Sequence, residues 1–101
     1  MKTSELTGHA LNWAVAKCEG LCEGDFAWYY DRRDTFKYSI DWAQGGPIIE
    51  REKITPEWTG ENWMAYIKHD DEFYGSRPLI AAMRCYVGSK LGNDVDVPEG
   101  L

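Results

Sequence analysis

The sequence predicts an α+β fold: a single domain with an antiparallel sheet of about four strands and helices packed on it, in the order α-β-β-α-β-β-α. Three observations carry that expectation. Segments near the two ends hold apolar residues at helical spacing, two pairs of short aromatic-rich runs lie between them, and no repeat or low-complexity stretch interrupts the order. The length, 101 residues, suits one domain over residues 1–101, with a short acidic tail from about residue 93. Five Trp, six Tyr and three Phe each bring ~150–250 Å² of buriable surface, so a core can form without metal or disulfide staples.

Residues 4–19 carry Leu6, Ala10, Trp13, Ala14 and Lys17 along one helical face, widened by Leu11, Val15 and Cys18. Thr3 or Ser4 can cap this helix; Gly8 permits a later start capped by Thr7, and Gly20 ends it. The aromatic run from Phe26 to Tyr30, the polar link 31–34 and the alternating Phe36, Tyr38 and Ile40 predict a first β-hairpin. Asp41 then opens a helical turn in a capping-box pattern with Gln44. Gly45-Gly46 interrupts that turn before Pro47 starts a short helix over residues 47–54, so a broken helix is expected. Pro56 stops it. Residues 57–59 and 62–67 flank Gly60-Glu61 as a second hairpin, and residues 69–75 read as a charged connection. Ser76 and Pro78 open the last helix, in which Ile80, Met83, Val87 and Leu91 recur before Gly92 ends it. Strands bearing Trp28, Tyr30, Tyr38, Trp58 and Tyr66 present enough apolar surface to expect helices on both faces of the sheet.

Charge and cysteine usage narrow the function classes. A net charge of -6 opposes attraction to nucleic-acid phosphate, so no direct nucleic-acid binding is expected. No run approaches the ~20 apolar residues of a membrane span, and the N-terminus has no signal-peptide stretch, so a cytoplasmic protein without membrane contact is expected. Cys18, Cys22 and Cys85 cannot all pair within one molecule, and reduced thiols are expected.

Cys18 and Cys22, with His9 or Cys85, have spacing that can hold zinc, but there is no second ligand pair. Cysteine as a small buried hydrophobe is the better account, and no metal or cofactor is expected. His9 and His69 are the only imidazole bases, and neither sits in a nucleophile motif. The acidic run after His69 reads as a solvated loop. No enzyme is expected. Gly45-Gly46-Pro47 offers helix-start amides to an anion but lacks the lysine of a P-loop, so structural punctuation outweighs phosphate binding. Arg84, set among apolar neighbours in the last helix, needs a carboxylate, phosphate or carbonyl if it turns inward; reaching to the surface or pairing with Asp41 is the plainer alternative. Trp42, Trp58 and Trp63 could sandwich a base, but such rings mostly fill cores, and their number alone decides nothing.

Four segments go further. Residues 4–8 (Ser-Glu-Leu-Thr-Gly), 13–20, 41–52 (from Asp41-Trp42-Ala43-Gln44-Gly45-Gly46-Pro47 to Glu52) and 78–87 (from Pro78 to Val87, including Arg84) resemble the NinX-like family of lambdoid phages and prophages. More distantly, Tyr38-Ser39 with Asp41, and Pro78 to Arg84-Cys85, resemble the phage α-β-α sandwich domain family. The resemblance implies a phage accessory protein made in the cytoplasm of the bacterial host. It transfers no catalytic residue and no cofactor.

The leading expectation is a non-enzymatic binding module that serves counter-defence by sequestering a small nucleotide-like signal. Its ligand-binding residues would be Tyr38, Asp41, Trp42, Gln44, Gly45 and Gly46 from one side and Arg84 from the other, with Arg84 on the anion and Trp42 on a planar ring. Two alternatives stand beside it. One is an acidic inhibitor or nucleic-acid mimic that binds a host protein; the other is a small enzyme of unknown class. Homo-oligomers are left open.

Overall fold

The computed structural model describes residues 1–21, 26–68 and 71–101. The chain opens with a 3-10 turn, Thr3–Glu5, followed by helix α1, Gly8–Cys18. The later of the two expected starts is taken: Thr7 is the extended N-cap residue, although its side chain caps nothing. Residues 10–16 are all buried, so α1 is covered on every side rather than along one stripe. The one polar side chain among them, Asn12, accepts from the Ser39 amide at 3.0 Å. That bond satisfies two polar groups that would otherwise be costly to bury.

Residues 26–40 do not form the expected hairpin. Phe26–Asp31 is helix α2, Arg33–Thr35 is a 3-10 turn, and residues 38–40 are a turn; residue 25 lies outside the described residues. Local pairing explains the outcome. Arg32 donates to the Trp28 carbonyl at 3.1 Å and lies 4.7 Å from that indole, while Arg33 donates to the Tyr30 carbonyl at 2.7 Å and lies 4.1 Å from that ring. Spacings of three and four residues meet on a helix and not along a strand. Tyr29, fully buried, stacks on Phe36 at 5.1 Å, and Phe36 stacks on Tyr38 at 6.2 Å. Tyr29, Phe36 and Tyr38 are thus gathered into one stack, with Trp28 tilted against Phe36, and are not shared between two faces of a sheet.

Helix α3, Trp42–Glu52, is continuous where a break was expected. Gly45 serves packing: a Cβ there would lie 2.5 Å from the Tyr38 carbonyl oxygen and 2.6 Å from Leu79 Cδ2. Pro47 is tolerated early in the helix because Ala43, whose carbonyl loses its partner, is exposed to water. Lys53, at φ 57°, ends the helix in left-handed geometry.

The second hairpin forms as expected from β1, Thr55–Trp58, and β2, Trp63–Tyr66. A third strand, β3, Phe73–Gly75, occupies the end of the segment expected to be a charged connection, and it pairs antiparallel with β2. The sheet therefore has three strands in the order β1-β2-β3, not four. Helix α4, Pro78–Leu91, matches the expected last helix and packs across all three strands. Two glycines permit the approach. A Cβ on Gly75 would lie 2.8 Å from the Ala81 nitrogen, and one on Gly88 would overlap the Phe73 ring. No other described helix packs extensively on the sheet, so the expectation of helices on both faces is corrected.

The tail is not free. Val95 is buried, the backbones of Lys2 and Asp94 form an antiparallel β-bridge, and the Met1 ammonium donates to the Val95 carbonyl at 2.9 Å. Thr3 is tied to Asn93 and Gly92 by its amide and hydroxyl. On the far side, Glu19, Arg51 and Tyr86 join α1, α3 and α4. Arg51 donates to both Glu19 oxygens at 3.1 and 2.7 Å and to the Tyr86 hydroxyl at 3.2 Å, and that hydroxyl donates to Glu19 at 2.5 Å. The Arg51 guanidinium holds the Glu19 carboxyl below the ordinary carboxylate range, and burial pushes the Tyr86 phenol up.

Candidate functional site

The residues expected to form a ligand site do not meet at one recess. Those from residue 38 to residue 46 are joined around the start of α3, and most of their polar groups are engaged there. Asp41 caps the helix, its Oδ1 accepting from the Ala43 amide at 2.9 Å and not from Gln44 as a capping box requires. Gln44 does reach back, accepting from the Lys37 amide at 2.8 Å and donating to the Thr35 carbonyl at 3.0 Å. The Gly45 amide donates to the Asp41 carbonyl at 2.9 Å, so it is not free to cradle phosphate. Tyr38 is buried against Phe36, and Trp42 is exposed.

Arg84 faces elsewhere. Its Nε donates to the Leu6 carbonyl at 2.7 Å and its Nη1 to the Tyr74 carbonyl at 2.6 Å. The carbonyl partners foreseen for an inward-turned guanidinium are present, and the Asp41 pairing is not. Among the described residues no carboxylate oxygen lies within 4.0 Å of Arg84. Burial alone draws its pKa below the usual guanidinium value. A half-buried cation held by two neutral carbonyls keeps most of its charge available to a further partner.

That charge lines an open recess of about 400 Å³ between the β1–β2 turn, β3 and the N-terminal 3-10 turn. Ser4 and Ser76 bring hydroxyls that bond to no described residue, and Trp58, 54% exposed, forms a wall. The position of Trp58 follows from the hairpin: it pairs with Trp63 in the register, and the two rings sit 5.5 Å apart. Glu61 and Glu72 stand at the rim, Glu72 accepting from the Tyr74 hydroxyl at 2.9 Å. None of residues 38–46 lines this recess.

Sequence reasoning singled out Arg84 and weighed Trp58, but missed Ser4, Glu61, Glu72, Tyr74 and Ser76 as its companions. Only the adjacent aromatics Phe73 and Tyr74 hint at the strand that brings Tyr74 and Glu72 there, and a three-residue strand is too short to show a period within a charged loop.

The other chemistries considered have little geometry behind them. His9 stands 4.0 Å from Asp34 at the surface, and His69 and Cys22 lie outside the described residues. Cys85 is buried, which pushes its thiol up to about 11, the opposite of an activated nucleophile. Among the described residues no group of three His, Cys, Asp or Glu side chains could hold a metal ion.

A family model described as Bacteriophage P22, NinX matches residues 2–90. The chain belongs to the bacteriophage P22 NinX family. Every residue lining the Arg84 recess falls inside the NinX match, whereas the tail that closes back on Met1 lies beyond it. No curated protein matches the chain. No described helix of this NinX chain is long and apolar enough to cross a membrane. Membership makes it a phage protein and brings no activity with it.

Proposed function

We propose that this NinX-family chain is a non-enzymatic phage binding module, acting in the host cytoplasm to sequester a small nucleotide-like anion, with the Arg84 recess as its site. One observation carries the reading: a half-buried guanidinium without a carboxylate partner among the described residues faces an open recess. An anion supplies the missing counter-charge, and guanidinium geometry favours phosphate or carboxylate oxygens. Trp58 offers a flat surface for a base, and Ser4 and Ser76 offer donors to phosphate oxygens. The Glu61 and Glu72 carboxylates disfavour a bare polyanion and suit a ligand that also carries amino or hydroxyl donors, as a nucleotide does.

The test is thermal denaturation of the full chain against a panel of nucleoside monophosphates, diphosphates and cyclic nucleotides. A binder at a hundred times its Kd raises stability by about 2.7 kcal/mol. Trp58→Ala should lower the unliganded stability only by the lost Trp63 ring contact, about 0.5–1.5 kcal/mol, and lose at least tenfold in affinity, and Arg84→Gln should lose as much affinity wherever it folds. If every nucleotide leaves the melting temperature unchanged, sequestration is ruled out.

A further inference from the structure

The sheet has a second face. Ala65 and Phe73 pair across β2 and β3, and both are buried beneath α4. Strand alternation therefore turns Thr55, Glu57, Met64, Tyr66 and Tyr74 to the opposite side, where Glu57, Met64 and Tyr74 form one row across all three strands. No described helix packs over that side, and Tyr74 is 43% exposed.

The charge around this face is one-sided. Glu57 stands on the face and Glu72 accepts from the Tyr74 hydroxyl on it, both exposed carboxylates, and Glu61 lies in the adjoining β1–β2 turn, whereas Lys68 and Asp71 line a cavity with Cys85 on the α4 side. The three described strands carry no Lys or Arg. We infer that the outer sheet face is a docking surface for a basic protein segment carrying arginine or lysine beside aliphatic side chains. Guanidinium groups would stack on Tyr74 and pair with Glu57, while aliphatic carbons would cover Met64. A second copy of the chain would bring like carboxylates together, and a net charge of -6 repels anionic lipid headgroups as well.

Docking uses the face rather than an edge. Arg84 occupies the Tyr74 carbonyl on β3, and Pro56 removes an amide from β1, so neither edge strand offers an unbroken ladder to an added strand. The face shares Tyr74 and Glu72 with the Arg84 recess, whereas Glu57 and Met64 belong to the face alone.

The experiment uses a fluorescein-labelled ten-residue peptide of alternating arginine and leucine, titrated into the full-length protein and followed by anisotropy and by amide NMR shifts. Binding should weaken at least tenfold with Glu57→Lys and weaken with added salt. It should also fall when serine replaces the leucines at equal charge, and the shifted amides should lie in residues 55–58, 63–66 and 73–75. The inference is overturned by equal binding of the Glu57→Lys variant, by equal binding of a glutamate-leucine peptide, or by shifts centred elsewhere. A concentration-dependent dimer whose contact is lost in Glu57→Lys would overturn it in favour of self-association. Trp58→Ala should leave peptide binding intact, which separates this surface from the nucleotide reading.

Discussion

Gly88 shows how closely a single side chain can constrain this molecule. It lies in α4 under the Phe73 ring, where an added methyl would overlap the aromatic carbons. Alanine in a helix interior normally gains about 0.5–1 kcal/mol over glycine. Here overpacking, typically ~1–3 kcal/mol, should win because Phe73 is buried and its ring must be displaced. Gly88→Ala is expected to lower stability in urea denaturation by about 1–2 kcal/mol. Adding Phe73→Leu should recover part of that loss; strict additivity of the two changes would show that ring and methyl do not collide. Arg84 illustrates the complementary case. Its need for a partner was legible from its place among apolar neighbours, but the partner's identity was not, because the Leu6 carbonyl is distant in sequence and the Tyr74 carbonyl is placed by the unforeseen strand β3.

Three helices depend on the Glu19–Arg51–Tyr86 cluster for their mutual position, which gives the fold a specific acid response. The folded pKa of Glu19 lies below its ordinary value, chiefly through the hydrogen bond from Arg51. The stabilisation is therefore fully present above the unfolded carboxylate pKa of about 4.3 and is lost as pH falls through the folded value. Glu19→Gln should flatten the dependence of the melting temperature on pH below about 5; a slope equal to that of the unmodified protein would remove the cluster from the account. At this scale the sequence is informative where a pattern is long. α1, α4 and the second hairpin were legible because helical periodicity or a Gly-centred turn repeats over enough residues. The segment 26–40 misled because aromatic residues favour strands on average, whereas here their spacing to Arg32 and Arg33 selects a helical turn. β3 is too short to show a period, and α3 looked broken because its glycines serve close packing against Tyr38 and Leu79.

Across the whole molecule, the polar features divide by side. The buried core joins α1, α4 and the inner sheet face, the chain's first and last segments clasp through Met1, Thr3, Asn93 and Val95, and the recess opens at the end of the sheet where Ser4, Trp58 and Arg84 meet. That convergence was not readable from sequence, because it depends on an unforeseen third strand and on the N-terminal turn settling beside it. The Trp58–Trp63 pair has an optical consequence. Two tilted indoles 5.5 Å apart couple their electronic transitions and give a bisignate far-ultraviolet circular dichroism couplet, which Trp58→Phe should abolish without changing the helical bands. Since one chromophore borders the opening and its mate stays fixed on β2, the amplitude of that couplet gauges the opening's occupancy without any attached dye.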